Sequence, residues 1–462
     1  MIHCHAAAGR WWPLRLRPAG KPWRYGARLA PVLAVALLLP GGAPPPATAQ
    51  DTRPTTFTRD VLPGGLVVLV EERPGSGLVA LEVAILAGAR YETERTAGAA
   101  QFLEQLFLDG TPTRPTRRDV LRAITARGGD LTVEAGWERV RLAAEVASED
   151  FPVALDVLAD MLLNATFARE RFEAERELIL QNLAEREDTP ATFVFDVAHA
   201  VALGDTRLRH LPAGSPEAVR QLRYEDLLRY RATHVVTGNT IIAVAGDIRR
   251  DAVLPQIQQA FAALPVGSRQ RPQPLPRRRP PARVERPAGS EQANVAVSAR
   301  TPGVTARERP ALVVLSSILG GGAQRLYQEI RDRRGLAYEV GASLLQLSNA
   351  GVLVAHAGTA PDNAETVAEL LRSELQRLRE APPSEEELAR AIAYLVDGQS
   401  VALETNAARA NDLTRREALY GVAPPREEFL QQLRAVQPAE VQAAARRYLA
   451  PERLTTVVLR PD

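Results

Sequence analysis

Gln101, Glu104 and Gln105 stand at positions i, i+3 and i+4 in the run Gly98-Ala99-Ala100-Gln101-Phe102-Leu103-Glu104-Gln105. On a helix that spacing brings three side chains to one face. With histidine at both outer positions, H-x-x-E-H, such a face grips zinc and sets a glutamate beside the metal's water. Here the outer positions carry amides, so the pattern is Q-x-x-E-Q. Amide oxygens are poor zinc donors beside imidazole and carboxylate, which leaves Glu104 as the group on this face able to move a proton. Beyond residue 50 there is no cysteine, which removes disulfides and thiolate metal sites. The histidines there are His199, His210, His234 and His356, and no two lie three or four positions apart as ligands on one helix would. His199, His234 and His356 are expected to be satisfied by local hydrogen bonds.

The elements that hold this face come from a chain of 462 residues, 45% hydrophobic and 24% charged, the composition of an ordinary globular protein. The N-terminal stretch is different material. Six basic residues and no acid precede an apolar run from Leu29 to Leu39, then Ala47-Thr48-Ala49. That order reads as an exported protein's signal segment over 1–49, with an A-x-A cleavage site. The apolar run is too short to span a bilayer stably. Without it the chain carries 51 basic and 55 acidic residues, net −4, which argues against nucleic acid as a main partner. Every basic residue after Lys21 is arginine, a composition bias rather than a functional sign.

A proline- and arginine-rich stretch, 266–287, divides the remainder into 53–265 and 288–462, and reads as an extended connector. The two parts look alike. Strand-like runs (Leu66 to Val70, Val79 to Leu86; Ala293 to Ala299) are followed by helices of i, i+3, i+4 spacing. Those helices are expected near Asp119 to Thr125, Phe151 to Leu163 and Arg169 to Glu187, then Arg309 to Leu319, Asp362 to Leu378 and Ser384 to Leu403. Each part closes with a helix and a strand: Tyr224 to Arg231 then Thr240 to Val244, and Pro438 to Tyr448 then Leu454 to Leu459. The fold class is α+β, two homologous repeats, each a mostly antiparallel sheet with helices on one face.

Several blocks together carry a resemblance. They are Gly88-Ala89-Arg90-Tyr91-Glu92, Gly98 to Thr111, Glu175 to Leu180, His210-Leu211-Pro212-Ala213-Gly214, Asn239 to Asp247, Gly320-Gly321-Gly322, Arg325-Leu326, Arg331 and Gly335-Leu336-Ala337-Tyr338. In this order, over roughly Phe57 to Arg460, the chain resembles the insulinase/pitrilysin family of zinc peptidases in its smaller two-repeat form. Gly98 to Thr111 follows that family's G-x-A-H-F-L-E-H-x-x-F-x-G-T, with glutamine at both histidine positions.

The resemblance implies a third metal-ligand position on the helix of Glu175, and its register puts that position at Asn182. Gln101, Gln105 and Asn182 are then all neutral amides, and Glu104 keeps the general-base position without a Lewis acid beside it, so it is expected to hydrogen-bond the neighbouring amides rather than to carry residual acid–base chemistry. The resemblance also implies that Arg331 and Tyr338 lie on the substrate side, the phenol meeting a developing oxyanion and the guanidinium fixing the peptide. Gly320, Gly321 and Gly322 are implied to form a flexible, substrate-contacting loop ahead of a helix starting near Ala323. A phosphate-cradling reading of that loop lacks the lysine and serine or threonine it needs. The chain is thus expected to bind no metal and to pair with a homologous subunit that carries H-x-x-E-H and zinc, with a peptide held between them, in the periplasm or otherwise exported. No nucleic acid and no membrane span in the mature form are expected. The alternative is a non-enzymatic peptide-binding or structural scaffold. A third reading, an autonomous enzyme with a metal site of Glu104 and amides, requires stoichiometric zinc.

Overall fold

A computed structural model describes residues 57–204, 206–271, 275, 282–287, 289, 291–322 and 324–461. The signal segment expected over 1–49 lies outside them. Eleven strands run in chain order: β1 (Thr58–Val61), β2 (Val67–Glu72), β3 (Leu78–Ile85), β4 (Asp130–Ala135), β5 (Val140–Ala147), β6 (Thr240–Gly246), β7 (Arg283–Pro287), β8 (Ala293–Thr301), β9 (Ala337–Gln346), β10 (Gly351–Thr359) and β11 (Leu454–Arg460). The helices of the first repeat are α1 (Ala99–Phe107), α2 (Arg117–Thr125), α3 (Phe151–Asn164), α4 (Arg169–Glu187), α5 (Pro190–Leu203), α6 (Pro216–Gln221), α7 (Tyr224–His234) and α8 (Arg250–Ala260). Those of the second are α9 (Arg309–Gly320), a π-helical turn Tyr327–Asp332, α10 (Ala364–Glu380), α11 (Glu385–Ala402), α12 (Asn406–Tyr420), α13 (Arg426–Arg434) and α14 (Pro438–Tyr448).

The strands form two sheets, ordered β1-β2-β6-β3-β5-β4 and β7-β11-β8-β10-β9. Apart from β1 their topologies are the same. In each, the first and last strands of the repeat pair in parallel (β2 with β6, β7 with β11), and every other neighbour is antiparallel. The internal duplication is therefore visible in the strand order itself. It also shows that Arg283–Pro287, the end of the proline/arginine stretch, is a paired edge strand of the second sheet.

Local sequence explains where the helices begin. Thr116 and Asp119 close a capping box on α2, and Ser384 and Glu387 close one on α11. Proline occupies the first turn of α3, α5, α6, α9 and α14, where its missing N–H costs nothing.

One face of each sheet is packed by the repeat's own helices, burying Phe102, Leu106, Leu158 and Phe172 in the first and Leu315, Leu319, Leu371 and Val441 in the second. The opposite faces are covered reciprocally. Helix α5 of the first repeat lies on β8, β10 and β11, and α12 of the second lies on β2, β3 and β6. Small side chains, Ala410 and Ala418 with Leu413, let α12 sit on Leu69, Ala80, Ala243 and Ala245. This exchange explains why β2, β3 and β6 read as almost continuous apolar runs, buried on both faces.

Among the described residues no single helix is long and apolar enough to cross a membrane.

Candidate functional site: an amide-substituted helix and an arginine–tyrosine edge

Helix α1 starts at Gly98, whose φ of 91° falls in the left-handed region that favours glycine. The Glu92 carboxylate reaches over this end and accepts the N–H groups of Gly98 and Ala100, each at 2.8 Å. Burial pushes that carboxyl up to about 8, against the pull of the two N–H donors. Phe102 is fully buried and stacks on Phe172 of α4 at 4.8 Å between ring centres. This contact turns Gln101, Glu104 and Gln105, all half-buried, away from the core.

The carboxylate of Glu104 has partners on both oxygens. Oε2 accepts the Ala135 N–H at 2.6 Å, and Oε1 accepts Nε2 of Gln105 at 2.7 Å. Gln101 also hydrogen-bonds it. Burial raises this carboxyl above its ordinary range, while the bonds from Ala135, Gln101 and Gln105 oppose the shift. The amide oxygen of Gln105 accepts Nη1 of Arg117 at 3.3 Å. Nη2 of Arg117 lies 3.0 Å from both Asp109 Oδ1 and Glu175 Oε1. Arg171 donates to the same two carboxylates at 3.1 and 3.5 Å.

The α4 residue joined to the α1 face is therefore Glu175, which is buried. Asn182, the register's third-ligand position, lies on the exposed side of α4. Burial is the chief influence on Glu175, raising its carboxyl, and the Arg117 charge counters it.

The donor chemistry here does not suit zinc. Gln101, Gln105 and Asn182 offer neutral amides, and Glu104 is held by three neighbours. A guanidinium already supplies positive charge to the two buried carboxylates. Among the described residues no three His, Cys, Asp or Glu side chains are grouped to hold a metal ion.

The second cluster is on the other sheet. Arg331 belongs to the π-helical turn, a form that recurs at functional sites. Its guanidinium carbon lies 4.6 Å from the Tyr327 ring centre and 4.5 Å from that of Tyr338, so the cation is held by two aromatic faces. Nη1 donates to the Tyr338 carbonyl at 3.3 Å. Stacked in this way, a guanidinium keeps its remaining in-plane N–H groups for a carbonyl or carboxylate. Tyr338 is 82% exposed, and its phenol is available to a ligand. Tyr327, four residues before Arg331, is a site residue that the sequence reading missed, and helical i, i+4 spacing is the signal that could have found it. Arg117 and Asp109 were missed too; Arg117 joins Gln105 and Asp109 to Glu175 of a distant helix, a contact with no local signature.

The triple glycine is packed rather than open. Gly320 ends α9, and a Cβ there would collide with the backbone of Gly341 and Ala342 on β9. A Cβ at Gly322 would lie 2.5 Å from that of Tyr394 on α11. Close approach, not freedom of movement, is the demand these two positions place on the sequence. Ala323, where a helix was expected to begin, lies outside the described residues.

Two histidines depart from expectation. His234 Nδ1 pairs with the Tyr230 carbonyl at 2.9 Å, and Arg209 Nε donates to His210 Nε2 at 2.9 Å. His199 Nε2 and His356 Nδ1 are instead buried with no hydrogen-bond partner. The apolar contact of α5 with the second sheet encloses His356 against Phe195, 4.5 Å between ring centres. Burial depresses both imidazoles to about 4, with the Arg186 charge adding to it at His199.

The two clusters occupy equivalent strands. Glu104 binds the end of β4, and Tyr338 lies near the start of β9, the outer edge strands of the two sheets. No hydrogen bond joins Gln101, Glu104, Gln105 or Asn182 to Arg331 or Tyr338 among the described residues.

Two sheets of one topology, each packed by its own helices, define the architecture. Family models match both parts: Insulinase (Peptidase family M16) over residues 67–212 and Peptidase M16 inactive domain over 221–395. An uncharacterized zinc protease of Mycobacterium tuberculosis (strain H37Rv) is 32% identical over 90% of this chain and 94% of its own length. One from Streptomyces coelicolor is 30% identical over 85% and 87%. The chain belongs to the insulinase (M16) peptidase family. In fold it is similar to a protease from Helicobacter pylori, with a TM-score of 0.81 at 19% identity over 88% of this chain and all of that one. It is also similar to the peptidase M16 inactive domain from Pseudomonas fluorescens, with a TM-score of 0.79 at 19% identity over 88% and 98%.

Proposed function

We propose that this chain is the metal-free subunit of an exported two-subunit zinc peptidase, in which a homologous partner bearing H-x-x-E-H supplies the metal and the water-activating glutamate. The observation that carries the reading is the contrast between the two clusters. On α1, amides replace the ligands and Glu104 is tied to its neighbours. On the second sheet, Arg331 is stacked and oriented, and Tyr338 presents its phenol to solvent.

In this role the chain's own residues hold and polarise. Arg331 fixes the peptide through its in-plane donors, and Tyr338 donates to the oxygen on which charge develops. The edge strands offer backbone pairing to an extended peptide.

The experiment is co-expression with a homologue carrying H-x-x-E-H from the same genome, followed by size exclusion and a peptidase assay. A stable complex that cleaves peptide, with the isolated chain inactive, supports the reading. Zinc held stoichiometrically by this chain alone, or proteolysis by it alone, rejects it. The scaffold alternative draws on the same tied state of Glu104. It predicts a complex whose rate ignores both Arg331→Ala and Tyr338→Phe.

A further inference from the structure

The edge of β4 has no strand partner over part of its length, and one side chain ends that unpaired stretch. Gly136 N–H bonds the Arg139 carbonyl at 2.9 Å and closes the β4–β5 hairpin. Alternation in an antiparallel pair then turns the N–H and C=O of Glu134, Thr132 and Asp130 toward β5, and those of Leu131, Val133 and Ala135 outward. Strand β4 is the last strand of its sheet, so no neighbouring strand takes the outward groups of Leu131 and Val133.

At Ala135 the situation changes, because its outward N–H is donated to Glu104 Oε2 at 2.6 Å. Beyond it the hairpin is covered. Ala89 and Arg90 donate to the carbonyls of Gly136 and Trp137 at 3.2 and 2.9 Å, and a Cβ at Gly88 would lie 2.5 Å from the Gly136 carbonyl oxygen.

Glu104 is held in this position. Its second oxygen is bound by Gln105, Gln105 by Arg117, and Arg117 by the buried Asp109 and Glu175. A loose surface glutamate would yield to an incoming backbone at little cost; one clamped through four residues competes with it.

We infer that Glu104 acts as a register stop: an extended peptide adds to β4 at Leu131 and Val133, and the Glu104 carboxylate fills the next rung at Ala135. This is a positioning role, distinct from proton transfer, and it rests on the reading of the protein as a binder of extended peptide. A carboxylate and an amide both present an oxygen to Ala135, so the stop does not need a charge.

Two variants separate this role from acid–base chemistry. Glu104→Gln keeps an acceptor oxygen, and Glu104→Ala removes it. The readouts are hydrogen exchange of the Ala135 amide and affinity for a fluorescein-labelled peptide of alternating threonine and valine, measured on the isolated chain. Expected are wild-type exchange and affinity for Glu104→Gln. For Glu104→Ala, faster exchange at Ala135 is expected, with binding roughly three- to tenfold tighter, the worth of one freed backbone hydrogen bond.

The stop is overturned if Ala135 exchange is the same in all three proteins, or if it rises in Glu104→Ala while affinity is unchanged or weaker. It is also overturned if Glu104→Gln behaves like Glu104→Ala. Should exchange respond as expected while none of the three proteins binds peptide, the peptide-binding reading is what fails, and the stop falls with it.

Discussion

Glu417 on α12 receives two parallel hydrogen bonds from Arg59 on β1, at 3.0 and 2.9 Å, across 358 positions of sequence. The same carboxylate, fully buried, also accepts Arg269 at 3.1 Å and the Ala423 N–H at 2.8 Å. It locks a helix of the second repeat to the sheet of the first. Arg409 with Glu71, Thr414 with Glu82, and Asn411 with Arg139 extend the lock along α12.

Removing the carboxylate leaves two guanidiniums beside an apolar contact with no counter-charge. Glu417→Ala is expected to lower unfolding free energy by about 3–5 kcal/mol, the usual cost of breaking a buried pair on one side. Denaturant melts of the two proteins measure this. A loss under about 1 kcal/mol would show that the α12 contact rests on apolar packing alone.

Tyr338→Phe is expected to leave folding unchanged, because the phenol is exposed, and to cut kcat of the active complex by about 10²–10³-fold, as loss of an oxyanion donor does. Arg331→Ala should act mainly on KM. Tyr327→Ala, which removes one of the two faces holding the guanidinium, should raise KM in the same direction but less. Steady-state kinetics on the purified complex decide; a Tyr327→Ala effect on kcat alone contradicts the positioning argument.

Restoring the ligand types, Gln101→His with Gln105→His and Asn182→Glu, is expected to give weak zinc binding while Arg117 remains. That guanidinium donates to Gln105 and supplies charge to Asp109 and Glu175. Adding Arg117→Ala should tighten the metal. Calorimetric zinc titration of the triple and quadruple variants checks this, and equal affinities would remove Arg117 from the account.

His199 and His356 set a pH dependence of stability. Their imidazoles sit at about 4 in the folded chain against 6.5 ordinarily. The unfolded chain therefore takes up their protons first. Their contribution is complete above about pH 6.5, falls as pH drops towards 4, and is gone below it, with an upper limit of about 3 kcal/mol for each. His356→Phe should flatten the loss of stability between pH 6.5 and 4.5. Parallel pH profiles of wild type and variant would refute the assignment.

Arg169–Glu187 and Pro438–Tyr448 are legible as helices in the sequence alone, and the ordered glycine, arginine and tyrosine blocks identify the family. The same text showed that amides replace histidine on α1. These are local properties: side-chain spacing on one helix and residue chemistry at one position, which no distant contact alters.

Three things required the tertiary structure. The first is the exchange of α5 and α12 between sheets. Each helix looks like any amphipathic segment, and only assembly shows whose sheet it covers. The second is Arg117 on α2, which joins Gln105 and Asp109 at the end of α1 to Glu175 on α4. The third is the state of Glu104. Its spacing beside two amides already pointed to the hydrogen bond with Gln105, but its bond to Ala135 depends on β4 being the last strand of its sheet. Strand order is set by the packing of the whole repeat, so the second partner of that carboxylate could not be read from its neighbours in sequence.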